Sequence, residues 1–524
     1  MKKRLLALLL AVCMVAGLAA CGGNSSSSSS GGSSSDTKAA DTKAAADAAD
    51  DTQAPAVVDG DYPEIVFAFR VSGSVPSEAD LARVEEALNV ITREKIGCEV
   101  SLLYILSSSY QQQMTLMLSG DEQLDIMYST ASMIPPAVGA EQLRDLTDLL
   151  DQYGQGIKDV LGEDLLSCGV FKGGQYCLPV VTEGTLGYGM WMMKKEIVDK
   201  YEIDVDSIKS YEDLTEVFQL VHENEPDLTI VAPNTGIASF MQYCCTWDKL
   251  SDYFGVLDDY GQNLEVVNLF ETQSYRDYLD IMRDWYQKGF ISSDVTNNTE
   301  SAQSLMKAGT LFAFCESNKP GIETQDQIGT GCEVVGVQLQ ESMVITNNNG
   351  QWTIPENSKY PELAMQFLNL MYTDSDVINI LAYGIEGEDY VVREDGRIGY
   401  PEGIDASNVG YSRANQVWAL GNQFNAYVWE TNDIDLWEQT AAWAKTGIKS
   451  KAYGFTFDPT PVSNEEAAVK NVYDQYSMSL ECGVVDPETT LAEMNEKLYA
   501  AGLQAIIDEK QKQLDEWAAA NGVE

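Results

Sequence analysis

A single histidine, His222, occurs in the 524 residues. That excludes a histidine-rich metal site. It also leaves a Ser-His-Asp triad with one possible base, and that base closes an exposed helical stretch where partial positive charge suits the helix dipole. Hydrolase and nucleotide signatures are missing too. There is no Gly-x-Ser-x-Gly, no Gly-Lys-Ser/Thr phosphate loop, no His-Glu-x-x-His and no calcium loop of alternating acids. Cations are scarce, with 33 Lys and Arg against 81 Asp and Glu and a net charge of −48. A field of that sign argues against nucleic acid and against adsorption to anionic lipid. Beyond the first twenty residues no apolar run approaches the 18 or so needed to span a bilayer. A pair of catalytic carboxylates is not excluded by counting, because its geometry is invisible among 81 acids.

The N-terminus is informative. Lys2, Lys3 and Arg4 precede an apolar run from Leu5 to Leu18, too short to span a membrane comfortably, and the run ends in Leu18-Ala19-Ala20-Cys21. Small residues suit a signal peptidase. The cysteine directly after them, with Leu18 three positions earlier, resembles the bacterial lipobox, whose thiol is acylated. Residues 1–20 are therefore expected to be a cleaved lipoprotein signal, with Cys21 lipidated and the protein anchored to the outer face of the cell membrane. Residues 21–61 are Gly/Ser-rich and then Ala/Asp/Thr/Lys-rich, with little to bury, and are expected to be a flexible leash. About 40 such residues reach roughly 35 Å.

Ten cysteines occur. Cys13 leaves with the signal and Cys21 takes the lipid. Cys98, Cys168, Cys177, Cys244, Cys245, Cys315, Cys332 and Cys482 remain. An even count in an exported chain permits disulfides, with Cys168–Cys177 the best-spaced pair. The spacings form no framework, however, and a fold this large needs no staples, so buried free thiols are the expected reading.

Residues 62–524 are too many for one hydrophobic core and imply two lobes or more. Glu64–Phe69 reads as a strand. Ser77 with Asp80 reads as a helix start, and Leu81, Val84, Leu88 and Ile91 form one helical face that Gly97 stops. A second strand follows over Cys98–Ile105. This β-α-β unit should close into a parallel pair. A helix over Tyr110–Leu118 and a strand over Leu124–Tyr128 continue the alternation. The pattern predicts an α/β lobe with ligands beyond the carboxyl ends of its strands, at Arg70-Val71-Ser72, near Tyr104, and at Tyr128-Ser129-Thr130. Helical stripes recur at Leu214–Val221, Tyr275–Tyr286 and from Pro361 through Met371. Thr489–Ala519 is mostly helical. No repeat of 20–50 residues is present.

Several stretches, in this order and spacing behind a lipobox, carry a family resemblance: LSGDEQLDIMY (118–128), QLRDLTDLLDQYG (142–154), GGQYCLPV (173–180), YGMWMMKKEIVDKY (188–201), SYEDLTEVFQLV (210–221), MKAGTLFAF (306–314), PENSKYPELAMQFLNLMYTDSD (355–376) and YGIEGEDYVV (383–392). Together with the tail from GFTFDPTPV they resemble the extracellular solute-binding lipoproteins of ATP-driven importers, in the sugar-binding cluster whose C-terminal region has no assigned function. Two departures fall near expected ligand contacts. Trp191-Met192-Met193-Lys194 stands where the family usually has Tyr-Asn before Lys, and Glu388-Asp389-Tyr390 stands where His-Tyr often follows.

The resemblance implies an α/β, two-lobed periplasmic-binding-protein-like fold (type II) with the ligand cleft between lobes and a helical C-terminal region. One lobe is expected from 62–180 plus about 305–346, the other from 181–304 plus 347–524. Crossings are expected near Pro179–Gly184, Phe314–Ser317 and Thr346–Gly350. It implies a monomer without cofactor or metal that binds rather than catalyses, closing about a hinge on a small ligand, most simply an oligosaccharide, and docking on permease subunits with their ATPase.

Sugar sites set aromatic rings against pyranose faces and carboxylates or amides on hydroxyls. Trp285, Trp437, Trp443 and Trp517 lie in helical runs and read as packing. Trp191, Trp247, Trp352, Trp418 and Trp429 lie near strand ends, loops or glycines and are candidates for the cleft, with the core as the alternative for each. Tyr128, Ser129, Tyr188 and Tyr383 join them. Glu183, Glu316 and Glu386 are candidate acceptors of hydroxyl protons, or else solvated loop carboxylates. Three other readings stay open: a surface carbohydrate-degrading lipoprotein, a binder of peptides or another metabolite, and a sensor that passes closure to a membrane kinase.

Overall fold

The computed structural model describes residues 62–72, 74–235, 239–346 and 350–524. The expected signal, the lipidated Cys21 and the leash lie outside the described residues.

β1 (Glu64–Val71) and β2 (Glu99–Leu106) pair in parallel along their full length, joined by α1 (Glu78–Ile96). The Ser77 hydroxyl accepts the Asp80 amide at 3.1 Å, satisfying one of the unpaired first-turn donors. Gly97 ends the helix at φ 66°, a left-handed conformation that costs glycine little. α2 (Ser107–Ser119), β3 (Ile126–Ser129) and the two-residue β4 (Leu178–Pro179) follow.

The chain then crosses to a second sheet. It runs through β5 (Gly187–Lys194), α3 (Tyr211–Asn224), β6 (Thr229–Ala232), α4 (Gln273–Gln287), β7 (Leu311–Asn318), α5 (Ile322–Thr330) and β8 (Val334–Gln338). It returns as β9 (Gln351–Thr353), α6 (Pro361–Thr373) and α7 (Ser375–Tyr383). After a third crossing it ends in α8 (Ser463–Glu481), α9 (Pro487–Ala501) and α10 (Leu503–Asn521).

The first sheet has the order β2-β1-β3-β9-β4 and the second β8-β5-β7-β6. Each has its own apolar core. Phe67, Phe69, Tyr128 and Trp352 pack with α6 and α7 in the first, while Trp191, Phe218, Trp247 and Trp285 pack with residues of α8–α10 in the second.

The expected lobe boundaries need correcting. Residues 311–318, assigned by sequence to the first lobe, are hydrogen-bonded between β5 and β6 in the second sheet. Phe314–Ser317 is therefore the interior and end of β7 rather than a crossing. Conversely, β9 and most of 354–426 belong to the core of the first lobe, not the second. A buried strand reads as an apolar run whichever sheet it joins, so only the pairing reveals its lobe.

Three crossings occur among the described residues: 180–186, 339–346 and 437–450. They are tied side by side. Leu186 and Met343 exchange backbone hydrogen bonds at 2.7 and 2.9 Å, and Met343–Val344 pairs in parallel with Ile448–Lys449. Of the expected third crossing, Thr346–Gly350, residues 347–349 lie outside the described residues. None of the eight cysteines from Cys98 onward forms a disulfide. Cys168 and Cys177 are both buried without a bond between them, the Cys177 thiol donating to Gln351 Oε1 at 2.6 Å. Among the described residues no helix is long and apolar enough to cross a membrane.

Candidate functional site

A cavity of about 700 Å³ lies where the two sheets and the crossings meet. The first lobe contributes Arg70, near the carboxyl end of β1, Thr130 after β3, and Trp418. The crossings contribute Thr182 through Leu186 with Ile345 and Thr346. The second lobe contributes Gly187 and Tyr188 from the start of β5, Glu316 through Lys319 from the end of β7, Ile322 and Gln325 from α5, and Tyr243 with Asp248 through Ser251. β5 and β7 run antiparallel, which brings the start of one beside the end of the other. Gly187 is required there: a Cβ would lie 2.6 Å from the Asn318 carbonyl oxygen. A bulge follows between Gly187 and Met190, a device that re-aims side chains at a sheet end.

The polar groups are placed by neighbours. The Glu316 carboxyl accepts the Ser317 amide at 2.7 Å and the Asn234 side-chain amide. Burial raises its pKa, while those two bonds and the nearby Lys319 charge work the other way. Beneath it Asp326, fully buried, is pushed up to about 7, first by burial and then by the Glu316 charge. Asp248 accepts the Leu250 amide at 2.9 Å and the Ser450 hydroxyl at 2.6 Å. Glu183 accepts from the Gln423 side-chain amide at 3.1 Å. Burial holds the Tyr188 and Tyr243 phenols above their ordinary range, so both remain hydroxyl donors. The Lys249 ammonium sits 4.9 Å from the centre of the Tyr253 ring, and Arg70 Nε donates to the Ser107 hydroxyl at 3.1 Å. Among the described residues, Arg70, Lys249 and Lys319 make no ion pair. The cavity thus offers hydroxyl, carboxylate, ammonium and guanidinium groups beside three aromatic rings. Such a lining suits a polyhydroxylated ligand with apolar ring faces.

Of the twelve ligand-binding candidates read from the sequence, Glu183, Tyr188, Glu316 and Trp418 line this cavity. The others lie elsewhere. Tyr128 and Trp352 pack edge-on at 5.6 Å inside the first core, and the Ser129 hydroxyl is bonded to Thr353 Oγ1 at 2.9 Å in the buried sheet. Trp191 is fully buried edge-on against Trp285 at 5.0 Å, and Trp247 is buried in the same core. Tyr383 is buried with its hydroxyl on the Tyr427 carbonyl at 2.9 Å. Trp429 packs edge-on against Tyr400 at 4.8 Å in the first lobe, and Glu386 is exposed. Large rings near strand ends were drawn inward because each sheet buries both faces, so alternation gave no outward direction. Sequence reasoning missed Tyr243, Lys249 and Ser251. Their signal was negative: residues 233–272 lack periodicity, and long irregular segments in compact folds are usually functional.

Two α/β lobes, three bonded crossings and a polar, aromatic-edged cavity between them define a bilobal binding protein. Residues 78–378 match the bacterial extracellular solute-binding protein family, more than half of the chain, and the chain belongs to that family. Membership implies an extracellular or periplasmic location. Residues 451–519 match a domain of unknown function (DUF3502). A carbohydrate ABC transporter substrate-binding protein of Streptococcus pneumoniae serotype 4 is 25% identical over 436 residues, covering 82% of this chain and 86% of that protein. The crystal structure of the N-glycan transport solute-binding protein NgtS of Streptococcus pneumoniae is similar at a TM-score of 0.76 and 24% identity, covering 87% of this chain and 98% of that one. Its complex with Man5GlcNAc is similar at 0.68 and 24% identity, covering 88% and 100%.

Proposed function

We propose that this protein is the capture component of an ATP-driven importer, binding an oligosaccharide between its lobes and delivering it to membrane permease subunits. The observation that carries the reading is the cavity itself, lined from both lobes and from the crossings that join them. A ligand bridging Arg70 or Trp418 on one side and Tyr188, Glu316 or Lys249 on the other favours the closed arrangement by its differential affinity. The similarity to a carbohydrate transporter subunit and to an N-glycan binder supports an oligosaccharide as ligand.

Anchoring by a lipid on Cys21 completes the proposal. A leash over 21–61 keeps the loaded protein near its importer and raises its local concentration there. Cys21→Ala is expected to abolish incorporation of labelled fatty acid, leave ligand affinity unchanged and reduce uptake.

The test of the central reading is thermal unfolding of residues 62–524 with a panel of neutral and acidic oligosaccharides that includes Man1GlcNAc and Man5GlcNAc. At least one glycan is expected to raise Tm, because a ligand at 100 times its Kd stabilises by about 2.7 kcal/mol. No new reducing ends are expected on prolonged incubation. A panel that leaves Tm unmoved at millimolar concentration would overturn the carbohydrate assignment, and turnover would overturn binding without catalysis.

A further inference from the structure

The wall of the cavity missed by sequence reasoning has no regular scaffold of its own. Between β6 and α4 the described residues form only short 3₁₀ turns and single bridges. Yet this segment presents Tyr243 and Asp248 through Ser251 to the cavity, and holds Leu250 in the left-handed region at φ 58°. Backbone strain of that kind persists only where the surroundings over-determine it.

The surroundings are the C-terminal helices and the chain leading into them. On α8, Glu481 is fully buried. Its carboxyl accepts the hydroxyls of Ser239, of Tyr473 at 2.8 Å and of Tyr275 at 3.2 Å, and its carbonyl accepts the Tyr278 hydroxyl at 2.6 Å. The Tyr473 ring packs against Tyr253, Phe254 and Phe270 at 5.7–5.9 Å. On α10, the ammonium of Lys510, fully buried, donates to Asp252 Oδ1 at 2.8 Å and to the Gly255 carbonyl at 3.1 Å. Gln511 takes the Val266 amide at 2.7 Å and donates to the Leu264 carbonyl at 2.9 Å. On α9, Asn495 accepts from the Asn268 side-chain amide at 3.0 Å and donates to the Phe270 carbonyl at 3.2 Å. Ser450, just before the helices, bonds Asp248. A buried lysine and a buried glutamate are costly and seldom add net stability over apolar residues of the same shape. Here Lys510 bonds only to that irregular segment, and Glu481 ties the segment, through Ser239, to tyrosines of α4 and α8.

We infer that the C-terminal three-helix region, the part of the chain with no assigned role, sets the position of the cavity wall formed by residues 239–251. Glu481 and Lys510 are its positioning residues for ligand binding. The inference rests on the cavity being the ligand site. α8–α10 therefore act on affinity without touching ligand, through Ser239 at one end of the wall and through Asp252 and Gly255 just beyond the other.

The test compares wild type with Lys510→Met, Glu481→Leu and Glu481→Gln in residues 62–524, by hydrogen exchange and by affinity for Man5GlcNAc. The Asp248 and Leu257 amides, which bond each other's carbonyls at 2.8 and 2.9 Å, report the wall directly. Lys510→Met keeps the volume and frees Asp252, whose side chain is 30% exposed, to meet water. It is expected to leave Tm within a few degrees, speed exchange at 248–257 at least tenfold, and weaken binding about tenfold. Glu481→Leu is expected to do the same through Ser239, and Glu481→Gln, which keeps acceptors for both tyrosines, to restore most of the affinity. If Glu481→Leu fails to fold, Lys510→Met decides. Unchanged exchange in Lys510→Met overturns the inference, as does faster exchange with unchanged affinity. The exchange arm needs no ligand. Failure of wild type to bind Man5GlcNAc or any panel glycan counts against the proposed ligand class and leaves exchange to decide this point.

Discussion

The two walls of the cleft are built differently. The first-lobe wall is formed at the ends of two adjacent parallel strands, β1 and β3. Arg70 and Thr130 are placed by β1 and β3, and behind them Phe67, Phe69, Tyr128 and Trp352 form a packed aromatic stack. The second-lobe wall combines strand ends with an irregular segment held by long-range polar contacts to α8–α10. The first wall draws its position from hydrophobic packing and ladder hydrogen bonds, the second from a few buried polar groups. The first should therefore resist pH and tolerate polar changes at its rim, whereas the second should respond to single charges.

The largest expected effect breaks the first wall from behind. Trp352 is fully buried, stacked at 4.6 Å on Phe67, with its indole donating to the Ala419 carbonyl at 3.2 Å. Trp352→Ala is expected to lower unfolding stability by about 3–5 kcal/mol in denaturant titration. A loss under 1 kcal/mol would mean that this stack is not what holds the first wall.

Next comes a pH signature confined to the second wall. Burial pushes the Glu481 carboxyl up to about 7 from 4.5, so the folded state keeps a proton that the unfolded chain releases. The stability that Glu481 contributes is full below pH 4.5 and is lost as pH rises through about 7. Glu481→Gln is expected to be more stable than wild type above pH 8, relative to pH 4, by up to about 3 kcal/mol. Parallel pH profiles for the two proteins would remove the distinction between the walls.

A smaller effect separates rim from core within one lobe. Trp418 is half-buried at the cavity, its indole bonded to the Asn415 carbonyl at 3.1 Å. Trp418→Ala is expected to weaken glycan binding about tenfold, as loss of a stacking face implies, with stability changed by less than about 1 kcal/mol. Calorimetric titration beside thermal unfolding reads both quantities, and a stability loss like that of Trp352→Ala would place Trp418 with the core.

The smallest effect is on the thiols. Burial pushes Cys98 and Cys482 up to about 12, so native thiol titration should be slow at pH 8. Denatured residues 62–524 should give eight thiols without reductant. Six would reveal a disulfide and a stiffer wall than the contacts imply.

The opening β-α-β unit was legible because its signals are local. The Ser77 cap, the stripe through Val84 and Leu88, and the Gly97 stop all act within a few residues. The helical packing of Trp285 and of Phe367 and Leu368 was legible for the same reason. Trp191 and Trp352 were not, since nothing nearby in sequence tells a ring on a strand which side of a doubly covered sheet it faces; Trp247 was not, because its segment has no periodicity to give it a face. The lobe assignment of β7 and β9 failed on the same ground: strand pairing is a long-range choice between equally apolar partners.

The sequence by itself determined a strongly acidic α/β binding protein of recognisable family, because composition, periodicity and motif order are properties of the chain. Tertiary structure decided which strands share a sheet, which four of twelve candidates meet at the cavity, and that Lys249 and Tyr243 stand beside them. Those facts depend on contacts between residues hundreds of positions apart, such as Ser239 with Glu481 and Asp252 with Lys510. No local pattern encodes such contacts, because their energy exists only once both segments are already in place.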